Sequence, residues 1–358
     1  MDKFVVHGGN PLRGTLKISG SKNSALPILA ATLLTPEPCI IHNVPNLSDI
    51  RYMLQILQHL GADVTFENGT VRVCAEKIHS ETSYDLVRKM RASICVLGPL
   101  LARLGRATIS LPGGCVIGDR PVDLHLKGLE TLQAKIEVVE GNIIAVAPKL
   151  VGTEVFLGGK FGSTVLGTDN IMMAATRAEG TTIIESAACE PEVRDLAEFL
   201  MKMGAKIQGH GTRCIEVQGV KELHGVEHTV IPDRIEAGTF MVGALISGGH
   251  LKLTHLAPEH LGGVIDALKL AGAEIQIQGS DLEIGVQGTL KSIEVLTETY
   301  PGFPTDMQAQ FCALMCVVPG ISVIAEKVFP NRYMHLSELK RMGAKIDLEG
   351  SSAIIHGV

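Results

Sequence analysis

The chain has 358 residues, 46% of them hydrophobic but only 4% aromatic and none Trp, which predicts aliphatic cores and about two domains. A formal charge of −6 with no run of Lys and Arg argues against a nucleic-acid-binding protein, and no apolar run approaches the length of a membrane span. Eight cysteines without a CxxC pair or a ligand spacing to histidine give no sign of a metal site, and with no signal peptide in evidence they fit a reducing cytoplasm.

In chain order, a strand is expected over 4–19, ending in Leu16-Lys17-Ile18-Ser19, and Lys22 and Asn23 then precede a helix over 25–34. A strand over 62–66, the turn Glu67-Asn68-Gly69 and a strand over 71–73 form a hairpin. Arg88 and Arg91, three apart in a helical stretch, are expected on one face, either as an anion clamp or as a solvated basic surface. The loop Leu111-Pro112-Gly113-Gly114-Cys115-Val116-Ile117-Gly118-Asp119-Arg120-Pro121 leads into a helix over 122–132. Helices over 193–203 and 261–270 alternate with Gly-led strands that begin at Gly180, Gly249 and Gly320. Finally, Asp306 opens a helix over 307–317, with Thr305 as its expected N-cap.

One phrase recurs through this order: Leu60-Gly61-Ala62-Asp63-Val64, Met203-Gly204-Ala205-Lys206-Ile207, Ala271-Gly272-Ala273-Glu274-Ile275 and Met342-Gly343-Ala344-Lys345-Ile346. Leu132-Gln133-Ala134-Lys135-Ile136 is a copy without the glycine. From positions 61, 133, 204, 272 and 343 the intervals are 72, 71, 68 and 71, a period suited to a small α/β subdomain. The glycine should end a helix and the following residues open a strand, so each unit reads helix, strand, helix, strand, strand. The expected division is a first domain of three repeats over 21–229 and a second over 1–20 plus 230–358.

The chemistry-bearing residues fall at helix starts, where backbone N–H groups favour anions. Cys115 sits among Gly and Pro rather than large apolar residues, and both the expected helix start and Arg120 would lower its thiol pKa. The competing reading is a buried core cysteine, the ordinary fate of a free thiol and the favoured one for Cys312 and Cys316. Lys22 reads as an anion contact or a solvated amine, and Asp306 as a general base on a hydroxyl or a helix-dipole residue without chemistry.

Three motifs together resemble one family. Gly20-Ser21-Lys22-Asn23-Ser24-Ala25-Leu26-Pro27, the Pro-Gly-Gly-Cys loop running into Arg120-Pro121-Val122-Asp123-Leu124-His125, and Phe303-Pro304-Thr305-Asp306-Met307-Gln308 are similar to the UDP-N-acetylglucosamine 1-carboxyvinyltransferase family of enolpyruvyl transferases. The resemblance implies an inside-out α/β barrel of two domains, each of three repeated units. It implies transfer of the enolpyruvyl group of phosphoenolpyruvate to the 3′-hydroxyl of UDP-N-acetylglucosamine, releasing phosphate, at the start of peptidoglycan synthesis in the cytoplasm. No cofactor or metal is implied, and the partners are those two small molecules rather than a nucleic acid or a membrane.

On the same footing, Lys22 and Asn23 would hold phosphoenolpyruvate. Arg91, Arg120, Pro121, Val122, Asp123, Leu124, Lys160, Phe161, Gly162, Ser163 and Val328 would contact the nucleotide sugar. Cys115 would give a proton to the methylene carbon and form a thioether adduct, an epoxide of the fosfomycin type would alkylate it, and Asp306 would be the base at the sugar hydroxyl. The family continues about sixty residues beyond Val358, the size of one repeat, so the sixth unit is expected to be incomplete here and the second domain to expose apolar surface. Two rival readings are a non-catalytic UDP-sugar-binding relic and an enolpyruvyl transferase using another acceptor.

Overall fold

Every version of the repeated phrase terminates a helix. In the computed structural model, which describes residues 5–112, 122–160 and 162–358, these helices are Ser48–His59, Asp123–Thr131, Pro191–Lys202, Gly262–Leu270 and Met334–Arg341. After each C-cap comes a left-handed residue: Gly61, Gly204, Gly272 and Gly343 have φ of 101°, 106°, 96° and 99°, and in the copy lacking glycine Gln133 has φ 71°. Gly61 N–H donates to Gln58 O (3.0 Å) and Ala62 N–H to Leu57 O (3.0 Å); Gln133 N–H donates to Glu130 O (2.9 Å) and Ala134 N–H to Leu129 O (3.0 Å). The same pair recurs at the other three ends, closing the last carbonyls in a Schellman motif. Gln133 bears a left-handed strain that glycine does not.

Each ending feeds an antiparallel hairpin, and the sheets share one plan. A leading strand runs parallel to a central strand, whose other edge takes the hairpin. Within Gly20–Ile231, one of two compact units, Glu227–Thr229 leads onto Cys39–His42 with Thr70–Cys74 and Asp63–Glu67, and Glu154–Phe156 leads onto Thr181–Glu185 with Cys214–Gln218 and Lys206–Gln208. The third sheet, Arg106–Ser110 with Asn142–Val146 and Lys135–Val139, keeps only a parallel bridge between Glu81 and Thr108 where the leading strand would lie.

The other unit holds the described residues up to Ser19 together with Pro232–Val358. Its sheets are Arg13–Lys17, His250–Thr254, Asp281–Gly285 and Glu274–Gln278, then Glu294–Leu296, Gly320–Ala325, Ser352–Gly357 and Lys345–Glu349. The opening strand is therefore shorter than expected, beginning at Arg13 where pairing with His250 begins, while Phe4 lies outside the described residues.

Inside Gly20–Ile231 the helices are central and the sheets peripheral. Every residue from Ser24 to Ala31 of the Lys22–Ala31 helix is buried, as is every residue from Gly167 to Ala175 of the Val165–Ala175 helix. A helix buried on all sides must be surrounded by other elements, whereas the strands alternate: Cys39, Ile41, Val71 and Val73 point into the core and their neighbours do not. In the second unit Phe311 of the Gln308–Met315 helix meets Phe303 edge-to-face, with ring centroids 4.7 Å apart.

Candidate functional site

In Gly20–Ile231, Ser21 caps the helix, its Oγ accepting from Ser24 N–H at 3.3 Å, so Lys22 and Asn23 are the helix's first two residues rather than residues preceding it. Lys22 Nζ lies 3.1 Å from Asp49 Oδ2, and both side chains keep about a third of their surface exposed. An exposed pair of this kind contributes little to stability, about 0–1 kcal/mol, and leaves an ammonium beside a helix N-terminus where an anion is favoured. Asn23 is exposed next to it. Asp49 was not singled out by sequence reasoning, although it too stands in the first turn of a helix, Ser48–His59.

The expected single face for Arg88 and Arg91 is not formed. The Tyr84–Val87 helix stops, Met90 is extended (φ −149°, ψ 129°), and Arg91 starts a separate 3-10 segment, Arg91–Val96. Arg88 turns back to Asp85 at 3.3 Å, and Arg91 is half-buried. Val122 precedes the Asp123–Thr131 helix, Asp123 is its first residue, and Leu124 is half-buried. Lys160 is exposed at the turn of the Gly158–Gly159 and Gly162–Ser163 hairpin. The structure brings Leu124 to this hairpin: a Cβ on Gly159 would stand 3.1 Å from Leu124 Cδ1. Cys115, Arg120, Pro121 and Phe161 lie outside the described residues.

In the second unit, Thr305 is not an N-cap. It is the first residue of the 3-10 turn Thr305–Met307, and its hydroxyl donates instead to Glu326 Oε2 at 2.9 Å. Burial explains the exchange, because Glu326 is fully buried directly after the Gly320–Ala325 strand and a buried carboxylate needs every donor within reach. Its Oε1 accepts from Thr297 Oγ1 (2.7 Å), Val328 N–H (2.8 Å) and Phe329 N–H (2.9 Å). Arg332 then donates to Thr305 Oγ1 (3.2 Å) and to Asp306 Oδ1 (2.7 Å).

Glu326 therefore ties two of the residues expected at the nucleotide sugar, Asp306 through Thr305 and Arg332, and Val328 through its backbone. The Asp306 side chain is 37% exposed, its Oδ1 is fixed by Arg332, and its Oδ2 accepts from no described residue. A carboxylate held by one oxygen, with no described donor on the other, can take a proton from a bound hydroxyl. Sequence reasoning missed Glu326 and Arg332; their signal was the strand-to-helix loop between Ala325 and Met334, the kind of place from which the other candidates were drawn.

The described cysteines with displaced acidity all move away from reactivity. Burial pushes the Cys39 thiol up to about 11 and raises Cys95, Cys189, Cys312 and Cys316, with the Asp169 charge a lesser cause at Cys95 and the Glu190 charge at Cys189. Among the described residues no group of three or more His, Cys, Asp or Glu is disposed to hold a metal, and no helix is long and apolar enough to cross a membrane.

Comparison with known proteins bears on this arrangement. The family described as EPSP synthase (3-phosphoshikimate 1-carboxyvinyltransferase) matches residues 6–358. A UDP-N-acetylglucosamine 1-carboxyvinyltransferase of Methylacidiphilum infernorum is 62% identical over 357 residues, and one of Akkermansia muciniphila is 56% identical over 361. Both matches cover 100% of this chain and 85% of the relative, and nothing in them establishes the expected shortening by about one repeat. Among solved structures, the enolpyruvyl transferase NikO from Streptomyces tendae matches with TM-score 0.88 at 22% identity, covering 98% of this chain and 83% of that one. EPSP synthase from Acinetobacter baumannii matches with TM-score 0.70 at 21% identity over the same shares. These two likenesses show the fold, the inside-out α/β barrel of helices enclosed by sheets. On the profile match and the two curated relatives, the chain belongs to the EPSP synthase family of enolpyruvyl (1-carboxyvinyl) transferases.

Proposed function

We propose that the chain transfers the enolpyruvyl group of phosphoenolpyruvate to the 3′-hydroxyl of UDP-N-acetylglucosamine, releasing phosphate, as the first committed step of peptidoglycan synthesis in the cytoplasm. The acceptor is supported by the names of the relatives that are 62% and 56% identical. The observation that carries the mechanism is Asp306, oriented through one oxygen by Arg332 while the other accepts from no described residue.

The reaction divides into two stages. A proton added to the methylene carbon of phosphoenolpyruvate leaves C2 electron-poor, and the sugar oxygen bonds to C2 while Asp306 Oδ2 takes the hydroxyl proton. Loss of phosphate from C2, as the Cys115 thiolate takes a proton back from the new methyl group, restores the carbon–carbon double bond of the enol ether now attached to the sugar oxygen. Lys22 and Asn23 hold phosphoenolpyruvate at the start of the Lys22–Ala31 helix, where the ammonium and the helix dipole act on the same charge. Arg91, Arg120, Pro121, Val122, Asp123, Leu124, Lys160, Phe161, Gly162, Ser163 and Val328 contact the nucleotide sugar. Cys115 donates the first proton; when its thiolate closes on C2 as the thioether adduct, sulfur leaves C2 again before the sugar oxygen bonds there, and the same nucleophilic sulfur is the target of a fosfomycin-type epoxide.

Phosphate release from phosphoenolpyruvate, with and without UDP-N-acetylglucosamine, tests this reading on the wild type and Cys115→Ala. Release that requires the sugar and is lost in the variant is the expected result. Binding of the sugar without release, by a folded chain, would identify a non-catalytic binder, and release only with a different hydroxyl acceptor would reassign the substrate.

A further inference from the structure

Two serines bracket the Lys22–Asn23 pair, and both are tied to one short segment near the end of the same unit. Ser21 N–H donates to Ile231 O at 2.8 Å, while its Oγ receives Ser24 N–H. Ser24, fully buried, gives its own hydroxyl to Asp195 Oδ2. That same oxygen accepts Ile231 N–H at 3.2 Å. The other oxygen, Oδ1, is 2.9 Å from His228 Nε2, and His228 Nδ1 is 3.0 Å from Lys202 Nζ.

An ammonium only donates, so Nδ1 of His228 accepts from Lys202 and the ring proton lies on Nε2, where it is given to Asp195. Phe199 packs edge-to-face on the imidazole, with centroids 5.5 Å apart, and keeps it in that plane. Asp195 is 2% exposed yet all its donors come from within the unit: a hydroxyl from the first turn of one helix, an N–H from the segment after the Glu227–Thr229 strand, and an imidazole. A buried carboxylate fully supplied in this way is rigid, since displacing any one donor leaves a charge without a partner in a dry site.

We infer that Asp195 is a positioning residue for the anion site at Lys22 and Asn23. It clamps the turn that carries them through Ser24, while Ile231 holds Ser21 on the other side, and His228 with Lys202 locks the second carboxylate oxygen. The inference rests on the reading that Lys22 and Asn23 bind phosphoenolpyruvate. Neither Asp195 nor His228 touches that ligand; their effect is to set where the amine and the amide stand.

Asp195→Asn keeps the shape but turns an NH2 group toward either Ser24 and Ile231 or His228, setting donor against donor. In steady-state kinetics on the full chain it should raise KM for phosphoenolpyruvate about tenfold or more and leave KM for UDP-N-acetylglucosamine within about twofold. Ser24→Ala, which spares the contacts of Asp195 with His228 and Ile231, should raise the same KM about threefold and serves as the measured variant if Asp195→Asn does not fold. Amide hydrogen exchange gives a readout independent of turnover: exchange of Ser24 and Ala25 should accelerate in both variants, with the Val165–Ala175 helix unchanged. An unchanged KM for phosphoenolpyruvate, or an equal rise for both substrates with faster exchange in both helices, would overturn the inference. If the wild type gives no turnover, the functional reading fails, and the exchange data alone decide whether Asp195 clamps the turn.

Discussion

The two units each hold one carboxylate at the centre of a buried polar network, and the networks end differently. In Gly20–Ile231 Ser24, Ile231 and His228 fill both oxygens of Asp195 inside the core, and the network reaches the surface only beyond His228, at the Lys202 ammonium. In the other unit the Glu326 network runs outward through Thr305 and Arg332 to Asp306, whose side chain is 37% exposed. The first network fixes a backbone turn at its buried end; the second orients a carboxylate at its exposed end. In neither network does the candidate group coincide with the most buried member: Lys22 and Asn23 stand beside Ser24, and Asp306 stands beyond Arg332.

Substitutions at the exposed end of the second network should have the largest effect. Asp306→Asn removes the acceptor for the hydroxyl proton and should lower kcat by about 10²–10⁴-fold while UDP-sugar binding, measured by calorimetry, persists. Loss of sugar binding in step with kcat would make Asp306 a binding group and erase the contrast. One step inward, Arg332→Gln frees Asp306 to rotate and should cost about tenfold in kcat with little change in stability, whereas Glu326→Gln should cost about 1–3 kcal/mol of stability by denaturant melt. Equal stability losses from the two would mean that the network has no outward direction.

A third carboxylate sharpens the comparison because its network is incomplete. Asp169 is buried with no partner for Oδ1 among the described residues, and burial, followed by the charges of Glu190 and Glu192, raises its pKa well above the ordinary carboxylate range. A carboxyl raised in the folded state favours folding below its unfolded pKa of about 3.9, and this contribution is lost as pH rises toward the folded pKa. Asp169→Asn should therefore gain on the wild type as pH rises from 4 to 8, by about 2–4 °C in Tm. A Tm difference independent of pH would contradict the assignment.

The smallest predicted effect compares one motif with itself. Gln133→Gly relieves the left-handed position and should stabilise by about 0.5–1 kcal/mol, while Gly204→Ala, where the nearest atom to a new Cβ is 3.8 Å away, should destabilise by about 1–2 kcal/mol through backbone strain alone. Opposite signs in thermal melts are required.

Local patterns carried much of this into the sequence. The helix endings were legible because a Schellman turn demands a left-handed residue at one position, which glycine marks at four sites, and the period located Gln133 at the fifth. The strand-to-helix loops likewise pointed to Lys22 and Asp306, whereas Val328 was named only through the family resemblance. What stayed hidden depends on distant partners. Thr305 has the sequence signature of a cap, but a carboxylate 21 residues later captures its hydroxyl. Asp195 looks like a polar residue of an amphipathic helix until Ser24, 171 residues earlier, is seen to meet it. Arg88 and Arg91 have helical spacing that an extended Met90 breaks. Such pairings are fixed by tertiary burial, for which spacing carries no signal.

The most direct test of enolpyruvyl transfer is the mass of the nucleotide product formed from UDP-N-acetylglucosamine and phosphoenolpyruvate by the wild type, alongside Asp306→Asn. The account predicts UDP-N-acetylglucosamine carrying one enolpyruvyl group, with one phosphate released per product, and a product nearly absent from the variant. An unmodified nucleotide after incubation with the folded wild type, or equal product from both proteins, would contradict it.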